Sequence, residues 1–253
     1  MTQELLNVDL PKWPQMLVWG APVSEARAKD VILRTDRFLS DLSEYAGGNN
    51  HRWNAWARNE LGIGETVNKL LRSHNGEQKV DWQLQYAVQS RFQELLGCVS
   101  TEYVHNNWAS CSFIFGPHGW MHPNGAVSFI DNVGKWPSVS EVLDDWKALA
   151  RAFSYLDLHA TLMSGESCEE DARPVVTIRV LDGKASLLAP LMPDQPVRRR
   201  DIGKVLPGFL TPGREQGLPD AWIREFGEIT RPLLERAFEE SKQAAEAREK
   251  TGE

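Results

Sequence analysis

The chain has 253 residues, of which 42% are hydrophobic and 25% charged. This fits a mixed domain with helical additions and excludes a disordered polypeptide. The formal net charge of −7 excludes holding a phosphate backbone by bulk charge. The 10 Trp need a core or an interface to bury them. Cys98, Cys111 and Cys168 are widely spaced, with no CxxC pair, which points to a reducing cytoplasm. The opening MTQELLNVDLPKW has no basic segment followed by an apolar run, so it does not read as a secretion signal. No stretch approaches the ~20 apolar residues of a membrane span.

In chain order, Pro11, Pro14 and Pro22 bar a long helix at the start, and MLVW reads as a short strand or an extended docking segment. Ser24 is read as the N-cap of a helix reaching about Tyr45, with Val31, Ile32, Leu39 and Leu42 along one stripe. GGNN at 47–50 ends it. Trp53, Trp56, Ala57 and Leu61 have helical spacing, and a further helical piece covers about Glu65–Arg72. Residues 80–97 make a longer helix with Val80, Leu84, Ala87, Val88, Phe92 and Leu95 on one side, closed by Gly97.

Beyond residue 98 the pattern turns to alternation. CSFIF and AVSFI read as strands on either side of FGPHGWMHPNG. Ser138 and Glu141 form a capping box ahead of a helix carrying Val139, Val142, Leu143, Trp146, Leu149, Ala150 and Phe153. LDLHATLM is a strand, and VVTIRVLDGKASLLAP is a hairpin turning at Asp182-Gly183. Residues 190–219, with six prolines and Arg198–Arg200, read as a wrapping segment. A last helix runs from Pro219 through Trp222, Phe226, Leu233 and Phe238, with Pro232 as a kink or restart and a frayed tail after Glu240. The resulting plan is a mainly helical region over 1–97, an α+β domain over 98–190 with an antiparallel sheet and one packed helix, and a proline-rich segment with a C-terminal helix over 191–253.

The runs NNWASCSF, FIDNVGKWPSVSEVLDDWKALARAFSYLDLHATLMSGE and VVTIRVLDGK resemble the YubB-type ferredoxin-like domain. The matching positions are Asn107-Trp108, Trp136-Pro137, Trp146, Phe153 to Leu156, Gly165-Glu166 and Asp182-Gly183. The resemblance covers roughly residues 100–187. Ser154 stands where a proline is usual, and FGPHGWMHPNG lies outside the general pattern. GPHGW with NVGKWPSVSEV and LPKWP is also similar to a narrower set of phage and prophage proteins. The resemblance implies a ferredoxin-like fold and an origin on a phage, prophage or plasmid. It brings no catalytic residues.

His118 and His122 are four apart, a zinc-chelating spacing only on a helix, and Pro117, Gly119 and Pro123 oppose a helix. The simpler reading makes Pro123-Asn124-Gly125 a hairpin turn, with Trp120 and Met121 covering the sheet end. His159 and Thr161 share one face of a strand, but the phosphodiesterase use of this pattern needs two such pairs. His159 is therefore a sheet-face or core histidine. Cys111 beside His105 or His122 would suit thiol chemistry, but a buried structural cysteine is the commoner case. Glu166, Glu169, Glu170 and Asp171 read as a solvated acidic loop.

Trp108, Phe113, Phe115 and Phe129 are available for base stacking, against the acidic balance and without an RNP consensus. Polar and aromatic residues on loops and strand ends form the candidate binding set: Asn107, Trp108, His118, Trp120, His122, Asp131, Asn132, Lys135 and Trp136, with Asn106 beside them. Trp120 is the first place to look for a partner contact if it is exposed. The expectation is a cytoplasmic accessory protein of a mobile element. It would bind a protein partner such as a host or anti-phage defence component, with no cofactor, no resident metal and no catalytic residue assigned. The alternatives are a metal-dependent hydrolase built on His118, His122 and His159, and a single-stranded nucleic-acid binder using the aromatic sheet and Arg198–Arg200.

Overall fold

The computed structural model describes residues 2–12, 14–35, 82–99, 120–121, 123–132, 138–164, 172–193 and 220–251. The chain divides into two compact units. One joins Met1–Thr35 to Val99–Leu210, and the other joins Asp36–Cys98 to Thr211–Glu253. The helical pieces expected within 36–81 lie outside the described residues, as do the CSFIF strand, the acidic loop at 165–171 and Arg198–Arg200.

The first unit is α+β. Its described elements are α1 (Thr2–Leu6), β1 (Gln15–Gly20), α2 (Glu25–Thr35), β2 (Ser128–Asn132), α4 (Val139–Ala152), β3 (Leu158–Met163), β4 (Pro174–Leu181) and β5 (Lys184–Leu188); α3 (Trp82–Leu96) belongs to the second unit. The strands form one antiparallel sheet in the order β2-β1-β3-β4-β5. β1 lies between β2 and β3 and runs antiparallel to both. Those two therefore run parallel to each other, with α4 as the crossover that parallel strands require.

The place of β1 corrects the expected division, in which residues 1–97 stood apart as a mainly helical region. MLVW is an unbroken apolar run, and Met16, Leu17 and Val18 are buried although they alternate between the faces. A strand buried on both faces belongs in the interior of a sheet.

Local chemistry sets the other elements. The Ser24 hydroxyl accepts from Arg27 N–H at 3.4 Å, capping α2. Ser138 and Glu141 form the expected box. Glu141 N–H donates to Ser138 Oγ at 3.2 Å, and Ser138 N–H donates to Glu141 Oε2 at 2.8 Å. Val139, Val142, Trp146, Leu149 and Ala150 are wholly buried on α4. α2 meets the end of α4 through Arg34, whose guanidinium lies 4.8 Å from the Phe153 ring centre, and through Arg27, 4.6 Å from that of Tyr155. Asp182 and Gly183 have φ of 50° and 73°, the two left-handed residues of a tight hairpin turn.

The second unit contains α3 (Trp82–Leu96) and α5 (Asp220–Thr251), which pack against each other. Leu84, Val88 and Phe92 are buried at four-residue spacing on α3, and Trp222, Phe226, Leu234 and Phe238 are buried on α5. Gly97 has φ 70°. It and Cys98 donate to the carbonyls of Glu94 and Gln93, so α3 ends in a Schellman turn. Arg91 bonds Glu94 and Glu240 at 2.8 and 2.6 Å. α5 passes through Pro232 and stays helical to Thr251, so the expected fraying after Glu240 does not occur. The tail is Ala-, Glu- and Lys-rich, with Lys242 3.8 Å from Glu246, and such a sequence favours helix.

Candidate functional site

Strand register sorts the sheet into two faces. Met16 and Val18 share one face with Leu158, Ala160, Leu162, Val176, Ile178 and Val180, and all eight are buried. α4, which packs on β4 and β5, covers this apolar face. The residues between them make the second face.

Across the second face runs a row formed by strict cross-strand pairing: Ser128, Trp19, His159, Arg179 and Ser186. The Trp19 and His159 rings stack with centres 5.1 Å apart and planes 13° from parallel. Each ring thus has one face occupied by the other. Arg179 Nη2 is 2.5 Å from Asp157 Oδ1, and its Nη1 donates to the carbonyls of Leu158 and Val180 at 3.0 and 2.6 Å. The guanidinium therefore ties β3 to β4. Burial pushes the His159 pKa below its usual 6.5. Arg179 adds to that, while Asp157 opposes it. His159 is thus a neutral imidazole near pH 7, able to donate one hydrogen bond and accept one.

Beside this row, Thr161 and Thr177 pair across the strands, Oγ1 to Oγ1 at 2.8 Å, and both are fully buried. The chain leaving β5 turns back over them. Leu191 N–H donates to Thr177 Oγ1, and Thr161 Oγ1 donates to the Leu191 carbonyl, each at 2.8 Å. Leu191 belongs to the start of the proline-rich segment, the rest of which, from residue 194, lies outside the described residues. Leu191 and Met192 are nevertheless 40% and 42% exposed, and Leu181, two residues beyond Arg179 on the same face, is 41% exposed.

The expected binding set is only partly placed. Asn107, Trp108, His118, His122, Lys135 and Trp136 lie outside the described residues. Asp131 and Asn132 belong to β2 itself, paired with Met16 and Gln15, rather than to a loop. Phe129 stands opposite Val18. The turn at Pro123-Asn124-Gly125 forms as expected. Met121 bridges Val127, Ala126 N–H donates to Asn124 Oδ1 at 3.0 Å, and Gly125 has φ 84°. A Cβ on Gly125 would overlap the Val23 carbonyl, whose residue bonds this turn through its own N–H. Trp120 is a correction: it is 1% exposed and packs on Trp146 with ring centres 5.5 Å apart, so it belongs to the core and offers no contact surface. The Gly- and Pro-rich surroundings marked a loop but did not show that the indole points inward.

His159 and Thr161 share the second face, as their spacing required, and His159 is the sheet-face histidine expected. The sequence reading did not place Trp19 and Arg179 in a site. A signal was present: in LHATLM and VVTIRVL the polar residues His159, Thr161, Thr177 and Arg179 alternate with apolar ones, marking one face of two neighbouring strands. Among the described residues no group of three or more His, Cys, Asp or Glu is placed to hold a metal ion. None of their helices is long and apolar enough to cross a membrane. Compared with protein-family models, curated proteins and solved structures, the chain matches none.

Proposed function

We propose that the protein acts by binding a protein partner on the face of its sheet that carries Trp19, His159 and Arg179. One observation carries this reading. Of the four exposed large apolar side chains among the described residues, Leu181, Leu191 and Met192 flank the row of Trp19, His159 and Arg179 on that face. Apolar side chains around a core of Trp, His and Arg are the usual material of a protein interface. The Arg179 guanidinium is already occupied by Asp157 and two carbonyls, which favours a protein over a nucleic-acid phosphate as the ligand.

The resemblance to phage, prophage and plasmid proteins extends the proposal to a mobile-element accessory protein acting in a host cytoplasm on a host or defence component. The β2-α4-β3 crossover around β1 supports a ferredoxin-like arrangement, with β4 and β5 extending the sheet.

The test is affinity capture from host lysate with the wild-type chain and with Leu181→Ser/Leu191→Ser/Met192→Ser. The expected result is one protein retained by the wild type and lost by the variant, with unchanged circular dichroism. Equal retention by both chains, or recovery of nucleic acid alone, overturns the proposal.

A further inference from the structure

The same end of the sheet holds a group of charges whose arrangement can change with one proton. Asp157 directly precedes β3, two residues before His159. Arg179 is the cross-strand partner of His159 and the ion-pair partner of Asp157. Trp19 closes the other side of the imidazole. The remaining members of the row, Ser128 and Ser186, carry no charge, and neither does the segment 189–193 that crosses the neighbouring row; on β5 the charged residue of this face is Lys184, opposite Leu181 and two residues from Ser186. Among the described residues of this group, Asp157 is thus the anion within reach of two cationic groups once His159 is protonated.

We propose that Asp157, His159 and Arg179 form an acid-responsive latch: when His159 takes a proton from solvent, Asp157 turns from Arg179 to the imidazolium and Arg179 loosens its hold on β3 and β4. With His159 neutral, Asp157 and Arg179 balance, and the guanidinium keeps its bonds to the Leu158 and Val180 carbonyls. With His159 protonated, two cations lie side by side on neighbouring strands, and cross-strand like charges repel. Asp157 is 48% exposed and so free to turn, whereas Arg179 is 20% exposed and confined. The latch concerns the protein alone and holds whether or not a partner docks on this face.

The sign of the pH effect follows from the His159 direction. Its pKa in the folded chain is below its unfolded value, so the stabilisation is complete above pH 6.5. It is lost as pH falls from 6.5 through the folded pKa.

The test is an NMR pH titration of the full chain, following the His159 ring proton and the Arg179 guanidinium signal. The expected result is a single shared midpoint below 6.5. Asp157→Asn should shift the His159 midpoint further down, because the opposing anion is gone, and should uncouple the guanidinium signal from it. Arg179→Gln should shift the His159 midpoint up. A guanidinium signal indifferent to His159 in the wild type, or an upward shift in Asp157→Asn, overturns the latch. Asp157 is half-exposed, so its variant remains informative even if Arg179→Gln fails to fold.

Discussion

On the helix-covered face of the sheet, Leu158, Ala160, Leu162, Val176, Ile178 and Val180 form an unbroken apolar block. On the opposite face the same two strands carry His159, Thr161, Thr177 and Arg179. Period-two alternation lets one backbone serve both faces, and the two are held in different ways. The first is held by area removed from water. The second is held by bonds that must each be made, because a buried threonine without a partner costs more than it contributes. Cohesion therefore concentrates on the apolar face, and chemical individuality concentrates on the other.

Substitutions of decreasing severity test that contrast. Trp146→Ala removes the side chain buried against Trp120 and should cost roughly 3–5 kcal/mol, read as a lower urea midpoint. A small change there would mean that the apolar face is not the source of cohesion. Thr161→Val keeps shape but removes the donor to the Leu191 carbonyl. It should cost about 1–3 kcal/mol and speed amide exchange at Leu191, and unaltered exchange would show that the returning segment is held by something else. Leu181→Ser changes an exposed side chain of the second face and should stay within about 0.5 kcal/mol of the wild type. A larger loss would show that its side chain is part of the core.

What was legible in the sequence was local. Ser138 with Glu141, Gly97, and Asp182-Gly183 each specify their structure within a few residues, and each forms as read. The long-range facts were less legible. Nothing near MLVW says that it pairs with Ser128–Asn132 on one side and Leu158–Met163 on the other, because register is fixed by partners far along the chain. Trp120 misled for a similar reason: its neighbours describe a turn, but its burial depends on Trp146 in another element. The Trp19–His159–Arg179 row joins three strands, so the alternation within each strand marked a face without revealing the assembled row.

The interior position of β1 also bears on how the chain can fold as it is made. β1 leaves the ribosome before either neighbour, and these follow only after roughly a hundred or more further residues; such non-local pairing is slow to form. Until then MLVW is an apolar segment with both edges open, the kind of segment that chaperones shield and that aggregates without them. Its yield in a cell should therefore depend on the chaperones available during synthesis, whatever stability the finished sheet reaches.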